Sequence, residues 1–329
     1  MSGFWEGRSV LVTGGSGFIG SHLVELLLQE GARVTATASS EATKARYWGA
    51  AKNGLDVRVG DLRDPDHARR VVKGHEVVMH LAARVGGIAF NMAHPGSIFR
   101  ENLLTFMNVL DVAREAGVGR FLVTSSACVY RRFCSIPTPE SEGFDGRPEP
   151  TNEGYGWAKR MEEFLGEAYA REYGMDVRIA RPYNAYGPRD NFDPETSHVI
   201  PALIRRVLTE NPVVVWGDGT ASRSFLYATD FARGLLAVAE RSPRVEAINI
   251  GADEETTVRD LVALIVKLSG RSVDVRFDDS KPGGQPRRRC DTRTAEQLLG
   301  FRAQVPLAEG LQRTIEWYRA QGSVGSGEG

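Results

Sequence analysis

Cysteine is scarce in this sequence, with 3 among 329 residues, and the three have no metal-binding spacing. So few thiols, odd in number, predict reduced side chains in a cytoplasmic protein rather than a disulfide framework or a metal centre. Long hydrophobic runs are missing, so no membrane partner is expected. The formal net charge of −1 lacks the basic excess of a nucleic-acid-binding protein, and no nucleic-acid partner is expected. The cluster Arg287, Arg288 and Arg289 is local and indicates at most a local anionic ligand.

What the sequence does contain is a regular alternation of short β-rich runs and helical segments in its first half. The runs predicted as strands are 8–14, 32–38, 76–83, 120–126 and 176–182. Helices are predicted at 18–31, 64–74, 98–116 and 154–173. Apolar strands separated so regularly by helices predict an α/β fold with a parallel sheet covered on both faces.

The second half is less regular and predicts a smaller C-terminal α/β lobe. Helices are expected at 197–208, 228–240, 257–269 and 306–320, and strands at 213–217, 246–251 and 273–277. The run 246–251 has the composition of one more buried strand of the main sheet. We therefore expect a main domain from 1–180 plus 224–252, a lobe from 183–222 plus 253–320, and a flexible Gly/Ser-rich tail at 321–329.

Glycines crowd the turn between the first strand and the first helix, in the run VTGGSGFIG. Gly14, Gly17 and Gly20 satisfy a G-x-x-G-x-x-G spacing, and Gly15 also allows G-x-G-x-x-G. Glycine lets the backbone approach a pyrophosphate closely, while the helix N-terminus offers free N–H groups. This context predicts a dinucleotide-binding, Rossmann-type doubly wound sheet. The cofactor contacts assigned to the turn are Gly14, Gly17, Phe18, Ile19 and Gly20.

The end of the second predicted strand favours NADP(H) over NAD(H). NAD-binding chains usually place an acidic residue there to hold the ribose hydroxyls, and this chain has none before Glu41. Side chains suited to a 2′-phosphate follow instead, namely Ser39, Ser40, Lys44 and Arg46. Asp61, after a third predicted strand, either accepts the adenine amino group or caps a helix. Further cofactor contacts are expected at Leu62, Leu81, Ala82 and Ala83.

The run YGWAK places Tyr155 and Lys159 four residues apart, on one face of a helix. A tyrosine is a poor acid–base catalyst at neutral pH because its ordinary pKa is about 10. We expect the nearby ammonium, together with an oxidised nicotinamide, to lower the pKa of Tyr155. The same lysine can hydrogen-bond the nicotinamide ribose, so both residues are candidate catalytic and cofactor-binding groups.

The glycine turn, a strand-end serine and YGWAK together resemble the extended short-chain dehydrogenase/reductase family of nucleotide-sugar enzymes. The resemblance covers the chain as far as residue 320. It implies a catalytic triad of Ser126, Tyr155 and Lys159, an NAD(P)-binding Rossmann domain and a C-terminal sugar-nucleotide lobe. It also implies a homodimer formed through the two long helices of the Rossmann domain.

Further stretches are similar to one branch of that family, the GDP-L-fucose synthases. They include LAARVGGI (81–88), SSACVY (125–130), DNFDPETSHVIPALIRR (190–206) and FDDSKPGGQPRR (277–288). In that branch the cysteine after the catalytic serine and the histidine of SHVIP serve epimerisations, which implies such roles for Cys128 and His198. The resemblance implies nucleotide contacts at Arg206, Trp216, Arg223 and Lys281. We add Val85, Gly86 and Asn184 as candidate substrate contacts.

Several of these residues have a structural alternative. Cys128 could be an inert packing residue, since free cysteines are usually buried. His198 could be a polar residue at a helix N-terminus, and Asn184 could simply form a turn. In favour of function, residues two apart in an extended chain project to the same side. Cys128 is therefore expected to face the same pocket as Ser126.

A 4-keto sugar substrate would give Cys128 and His198 a role in proton transfer. The keto group acidifies the protons at C3 and C5, and inversion needs proton transfer on both faces, which a thiol and an imidazole can perform. We therefore predict a 3,5-epimerase/4-reductase that converts GDP-4-keto-6-deoxy-mannose, or a close analogue, to a GDP-L-fucose-type product with NADPH. The alternative is an NAD-retaining GDP-mannose 3,5-epimerase or another nucleotide-sugar 4-epimerase, because the GGSGFIG turn is common among 4-epimerases.

Overall fold

The computed structural model describes residues 3–48, 54–280 and 285–324. The strands are β1 (Ser9–Thr13), β2 (Arg33–Ala38), β3 (Leu55–Val59), β4 (Val77–His80), β5 (Arg120–Thr124), β6 (Val177–Pro182), β7 (Ala185–Tyr186), β8 (Val213–Trp216), β9 (Ser222–Ser224), β10 (Leu226–Tyr227), β11 (Ala247–Ile250), β12 (Glu255–Thr257), β13 (Val275–Asp278) and β14 (Arg287–Arg288). The helices are α1 (Phe18–Gln29), α2 (Glu41–Trp48), α3 (Pro65–Val72), α4 (Ile88–Ala93), α5 (Pro95–Glu115), α6 (Glu153–Tyr173), α7 (Val199–Thr209), α8 (Ala228–Arg241), α9 (Val258–Ser269), α10 (Arg293–Leu299) and α11 (Leu307–Val324). Short 3₁₀ helices occur at Ala127–Val129, Glu140–Phe144 and Pro150–Asn152.

One 7-stranded sheet organises the main domain, in the order β11-β6-β5-β4-β1-β2-β3. Neighbouring strands are parallel throughout this sheet. The chain winds away from β1 in one direction through β2 and β3, and in the other through β4, β5 and β6. The carboxyl ends of β1 and β4 therefore flank the crevice where such sheets bind ligands. The predicted Rossmann-type doubly wound sheet is confirmed, with 246–251 as its added strand.

The strands are apolar because helices cover both faces of the sheet. Val10 on β1 belongs to a core shared with α1 and α8 on one face. Leu11, the next residue, belongs to a core shared with α3 and α5 on the other face. This alternation between two cores follows from the period of two along a strand. It explains why the sequence pattern is a continuous apolar run rather than an alternating one.

A third hydrophobic cluster builds the smaller lobe, where α7, α9 and α11 enclose the parallel pair β8 and β13. Fully buried Ile204, Leu261 and Leu311 lie at its centre. Beside it, β12, β9 and β14 form a small separate sheet. Helix α10 packs instead on the main domain, through Ala295 and Leu299. This part of the predicted lobe 253–320 therefore contributes to the core of the Rossmann domain.

The C-terminal end differs from the sequence-based expectation. Helix α11 continues to Val324, beyond the predicted start of a tail at 321. The rest of that predicted tail, 325–329, lies outside the described residues. Among the residues that the structure describes, no helix has the length and apolar character needed to cross a membrane.

Candidate active site

A large cleft of about 1150 Å³ opens at the carboxyl ends of the main-sheet strands and is lined on its far side by residues of the smaller lobe. Its wall contains the described residues predicted for catalysis, substrate binding and cofactor binding, except Ser40 and Lys44 among the candidates for a 2′-phosphate. On the cofactor side these are Gly14, Gly17, Phe18, Ile19, Gly20, Asp61, Leu62, Leu81, Ala82 and Ala83. On the substrate side they are Val85, Gly86, Ser126, Cys128, Tyr155, Lys159, Asn184, His198, Arg206, Trp216 and Arg223. Lys281 lies outside the described residues.

The glycine turn leaves no room for side chains where it enters the cleft. Gly14 has a φ of +67°, a left-handed value that favours glycine. A Cβ on Gly20 would collide with the carbonyl oxygen of Gly14, and one on Gly15 would lie 2.6 Å from the Cβ of Ala36. Gly17 caps α1 without a side-chain hydrogen bond, so the first N–H groups of the helix face the cleft. This cradle fits a dinucleotide pyrophosphate.

Two buried hydroxyls without hydrogen-bond partners also support a dinucleotide site in this cleft. The hydroxyl of Ser16 is buried in this turn, and the hydroxyl of Thr124 is buried at the end of β5. Neither hydroxyl has a hydrogen-bond partner among the described residues, and both residues line the cleft. Buried polar groups are normally satisfied, so a bound ligand is the natural partner for them.

The residues expected to select the cofactor are only partly directed at the cleft. Ser39 lines it, together with Thr43, which sequence reasoning missed. The Lys44 ammonium lies 3.6 Å from the Glu41 carboxylate instead. The side chain of Arg46 lies outside the described residues.

Asp61 does not cap a helix, so that alternative is wrong. Asp64 caps α3, because its carboxylate accepts a hydrogen bond from the Asp66 N–H at 2.9 Å. The Asp61 carboxylate instead accepts three hydrogen bonds from the Arg63 guanidinium, two from Nε at 3.0 Å and one from Nη2 at 2.7 Å. Hydrogen bonding to Arg63 lowers the pKa of Asp61, which therefore remains an ionised acceptor at the cofactor side of the cleft.

Ser126, rather than the adjacent Ser125, meets Tyr155. Ser126 has extended backbone angles just after β5; its hydroxyl accepts from the Cys128 N–H at 3.1 Å and lies beside Tyr155 in the wall of the cleft. The Ser125 hydroxyl is buried and donates to the carboxylate of Glu163. The geometry thus separates a serine that faces the cleft from one that holds the scaffold together.

The protein groups by themselves do not lower the pKa of Tyr155, and its lowering by an oxidised nicotinamide stays a prediction. Burial raises the pKa of Tyr155 well above its ordinary value, and the Cys128 sulfur and the Glu162 carboxylate add to the rise. The Lys159 Nζ lies 5.5 Å from the centroid of the tyrosine ring and is bound to Glu162 Oε2 at 2.7 Å. Sequence reasoning missed Glu162, the buried partner of this ammonium, and burial raises the pKa of Glu162 to about 7.

Cys128 reaches the cleft, although the reason predicted for this is wrong. The chain is not extended after Ser126, because Ala127–Val129 form a 3₁₀ helix. That turn, rather than strand alternation, places the half-buried Cys128 in the wall beside Ser126 and Tyr155. The Arg288 Nη1 lies 3.8 Å from the Cys128 sulfur. A guanidinium in this position stabilises negative charge on the sulfur.

His198 enters the cleft from the smaller lobe, at the N-cap position of α7. Its side chain does not cap the helix, and it stays open to the solvent of the cleft. The surrounding protein atoms nevertheless lower the pKa of the imidazole below its ordinary value. His198 is therefore a neutral group at physiological pH, able to accept a proton.

Cationic side chains gather at the substrate end. Burial lowers the pKa of Arg223 to about 10, and the neighbouring Arg288 charge contributes. The Arg206 guanidinium lies 6.0 Å from the ring centroid of Trp216, an indole that is 46% exposed. The neighbouring guanidiniums of Arg223 and Arg288 suit an anion such as a diphosphate, and the exposed indole of Trp216 suits a flat base. The Asn184 amide donates to the Ser224 carbonyl at 2.8 Å, so it also links the segment after β6 to β9.

The fold and this cleft define a dinucleotide-dependent enzyme of nucleotide sugars, and comparison with known proteins agrees. The model of the NAD-dependent epimerase/dehydratase family matches residues 10–251, and the chain belongs to that family. A dTDP-4-dehydro-6-deoxy-D-allose reductase from a Streptomyces species is 33% identical over 319 residues, which are 96% of this chain and 97% of the relative. The GDP-L-fucose synthase of Escherichia coli K12 is 39% identical over 251 residues, 72% of this chain and 78% of the relative.

A solved structure extends the comparison to three dimensions. The UDP-glucose 4-epimerase of Thermotoga maritima with UDP-glucose has a TM-score of 0.85 and 29% identity, and the match covers 95% of this chain and 99% of that one. The prediction of an NAD(P)-dependent nucleotide-sugar epimerase/reductase is confirmed at this level.

Proposed function

We propose that this enzyme is a GDP-4-keto-6-deoxy-mannose 3,5-epimerase/4-reductase that uses NADPH. The observation that carries this proposal is the shared cleft. Cys128 and His198 come from different lobes, yet both line the cavity that contains the Ser126–Tyr155 pair. Oxidation and reduction at C4 need only that pair, so two further proton-transfer groups indicate chemistry at carbon.

The cofactor half would hold NADPH through the glycine turn and the N-terminus of α1. Ser39 and Thr43, together with the absence of an acidic residue before Glu41, favour a 2′-phosphate. Bound there, the reduced cofactor supplies the hydride that reduces C4. Side chains of this protein orient the substrate and carry out the proton transfers.

Ser126 and Tyr155 act on the C4 oxygen. The Ser126 hydroxyl orients the carbonyl, and Tyr155 donates a proton as negative charge develops on that oxygen. The raised pKa of Tyr155 keeps its proton in place before donation. Cys128 and His198 remove a proton from one face of C3 or C5 and return one to the other face. Arg288 supports this exchange by stabilising negative charge on the Cys128 sulfur.

A second candidate is a dTDP-4-keto-6-deoxy-hexose reductase that leaves C3 and C5 unchanged. The extent of the matches favours it. The Streptomyces dTDP-sugar reductase is matched over 97% of its length, whereas the Escherichia coli GDP-L-fucose synthase is matched over 78%. The two candidates share Ser126, Tyr155 and Lys159 and differ in whether Cys128 and His198 transfer protons.

One set of reactions in deuterium oxide separates the candidates. The enzyme is mixed with NADPH and either GDP-4-keto-6-deoxy-mannose or a dTDP-4-keto-6-deoxy-hexose, and both NADPH loss and deuterium at carbon are measured. The proposal expects stoichiometric NADPH loss with the GDP-sugar and deuterium at C3 and C5. Loss with the dTDP-sugar and no deuterium supports the second candidate. Product without NADPH loss contradicts both and supports an NAD-retaining epimerase.

Two variants assign the proton transfers. Cys128→Ser and His198→Asn should each reduce deuterium incorporation by about 100-fold or more, the usual contribution of a general acid or base. Cys134→Ser is the matched control, because the Cys134 sulfur contacts Thr138 and Gln285 and does not line the cleft. Full exchange in both active-site variants would remove the epimerase part of the proposal.

We propose that the expected homodimer forms through α5 and α6. The two helices pack side by side and leave Met107 and Phe164 exposed, at 39% and 51%. Phe164→Glu should therefore convert a dimer into a monomer, as measured by light scattering. Phe133→Glu, which changes a 74% exposed ring in a loop, is the control. A monomeric wild type contradicts this assembly.

A further inference from the structure

The wall of the cleft contains an asparagine that sequence reasoning did not single out. Asn152 lies at the N-cap position of α6, three residues before Tyr155, and is half-buried. Asparagine is a favoured N-cap residue because its side-chain oxygen accepts from the first free N–H groups of the helix. Asn152 makes no such hydrogen bond, so its side chain is used in another way.

A second asparagine fixes the orientation of the Asn152 amide. Asn91 on α4 is 4% exposed, and its Oδ1 accepts from the Gly86 N–H at 3.1 Å. A backbone N–H can only donate, so the amide nitrogen of Asn91 is left as a donor. That nitrogen donates to the Asn152 Oδ1 at 2.7 Å. Turning the Asn152 amide over would place two donors against each other, and the observed orientation is therefore held.

This orientation leaves the Asn152 nitrogen without a strong partner. Nδ2 carries two N–H groups. Its partner among the described residues is the Thr151 hydroxyl at 3.4 Å, which is beyond the usual range of an N–H···O hydrogen bond. The Thr151 hydroxyl itself donates to Glu149. At least one N–H group of Asn152 is therefore available to a ligand in the cleft.

We infer that Asn152 is a substrate-binding residue that donates a hydrogen bond to the C3 hydroxyl oxygen of a 4-keto sugar. The inference rests on the proposed function, which places C4 of the sugar at Tyr155. Three residues of a helix rise by about 4.5 Å, so Asn152 is close enough to serve a carbon next to C4. Of the two neighbours of C4 in a 4-keto-6-deoxy sugar, C3 carries a hydroxyl and C5 carries a methyl group.

Such a contact determines specificity at C3. A site that hydrogen-bonds a substrate hydroxyl rejects the analogue that lacks it, because the donor is then left unpaired. Asn152 therefore distinguishes a 3-hydroxy sugar from its 3-deoxy analogue, whichever nucleotide the sugar carries.

A structural role would have a different consequence. The bond between Asn91 and Asn152 also joins α4 to the start of α6. If that were its whole purpose, loss of Asn152 would weaken the reduction of every sugar to the same extent. Loss of a C3 contact affects only those sugars that carry the C3 hydroxyl. The two roles are therefore separated by comparing two sugars rather than by activity alone.

The test measures kcat/KM at saturating NADPH for two substrates. They are the 4-keto-6-deoxy sugar that the wild type reduces, in its GDP or dTDP form, and the 3-deoxy analogue of the same compound. Asn152→Ala should lower the ratio of the two kcat/KM values, 3-hydroxy over 3-deoxy, by roughly 5- to 10-fold, the worth of one hydrogen bond. Differences in the intrinsic reactivity of the sugars cancel in this comparison.

The matched control is Asn211→Ala. Asn211 is exposed in the smaller lobe, accepts from the Asp274 N–H at 3.0 Å and does not line the cleft, so the ratio should equal that of the wild type. If Asn152→Ala does not fold, Asn152→Ser replaces it, because serine is also a favoured N-cap residue and keeps an acceptor for Asn91.

A ratio that Asn152→Ala leaves unchanged, even with both kcat/KM values reduced, would overturn the inference while the proposed function stands. A wild type that reduces only the dTDP-sugar contradicts the proposed function, yet the ratio still decides the role of Asn152. A wild type that reduces neither sugar contradicts the proposed function, and the inference falls with it.

Discussion

The cofactor half and the substrate half of the cleft are built in different ways. The part of the cofactor half that would hold the pyrophosphate is one continuous turn between β1 and α1, where Gly14 has a left-handed φ and a Cβ on Gly20 would meet the Gly14 carbonyl oxygen. The substrate half collects Cys128, His198 and Arg288 from a 3₁₀ helix, a helix N-cap and a short strand, which lie far apart in the chain. Backbone shape defines the first half, and side-chain chemistry defines the second.

This difference assigns different consequences to substitutions in the two halves. A change in the cofactor half must displace backbone, so it should affect folding and cofactor binding together. A change in the substrate half removes one functional group from a wall whose backbone is held elsewhere. It should alter the reaction or the substrate while the cofactor still binds.

The largest effect is expected in the cofactor half, from Gly20→Ala. The new Cβ would meet the Gly14 carbonyl oxygen, and backbone rather than a flexible side chain would have to move. Overpacking of this kind costs about 1–3 kcal/mol, which corresponds to roughly 5- to 150-fold weaker cofactor binding if the whole cost falls on the bound state. Calorimetric titration with NADPH measures the loss.

The matched control for that change is Gly96→Ala in α5. A Cβ at Gly96 meets no atom within 4 Å, and alanine is the better helix former. Its cofactor affinity should equal that of the wild type. If Gly20→Ala also binds NADPH normally, the backbone of the turn does not fix the cofactor half, and the contrast between the halves fails.

The same contrast decides how much was predictable from the sequence. The parallel sheet and the glycine turn follow from local patterns, because apolar periodicity and glycine spacing act within a few residues. Tyr155 and Lys159 follow from the helical period. Apart from Ser40 and Lys44, the described site residues line the cleft, but Cys128 does so through a 3₁₀ helix that no local pattern indicated.

The residues that the sequence did not reveal act through distant contacts. Arg288 reaches Cys128 across 160 positions of the chain, and the cluster of three arginines indicated only an anionic ligand. No local pattern indicates that Glu162 is buried, since a glutamate three residues after a lysine normally forms an exposed ion pair on a helix. Its burial beside Lys159 is a property of the tertiary structure, and the Glu162 carboxylate adds to the rise in the Tyr155 pKa that burial of the tyrosine causes.

A smaller effect is expected in the substrate half, from Arg288→Met. This change removes the positive charge 3.8 Å from the Cys128 sulfur and keeps much of the side-chain volume. Deuterium exchange at C3 and C5 should slow by about 10-fold, or 1.4 kcal/mol of transition-state stabilisation, while NADPH affinity stays unchanged. Arg287→Met, at the neighbouring guanidinium that is bound to Glu255, is the control and should leave exchange intact. Equal exchange rates in all three proteins would show that Arg288 does not serve the cysteine.

The smallest effect concerns the scaffold of the substrate half at low pH. Glu255 joins the strands that carry Arg223 and Arg288, because its carboxylate accepts from the Ser222 hydroxyl and the Arg287 guanidinium, each at 2.6 Å. Hydrogen bonding to Arg287 lowers the pKa of Glu255 to about 2. The unfolded value is about 4.3, so the stabilisation is complete above about pH 4.3 and is lost as the pH falls toward 2.

Glu255→Gln should therefore lower the free energy of unfolding near neutral pH by about 0.5 kcal/mol, since the partner arginine is exposed. The deficit should shrink as the pH falls below about 4.3, as urea denaturation at a series of pH values would show. Glu246→Gln, at an exposed position after α8, should follow the wild type at every pH. A constant deficit for Glu255→Gln would mean that packing rather than charge joins these strands. Cofactor affinity should not change in either variant, because the strands concerned support only the substrate half.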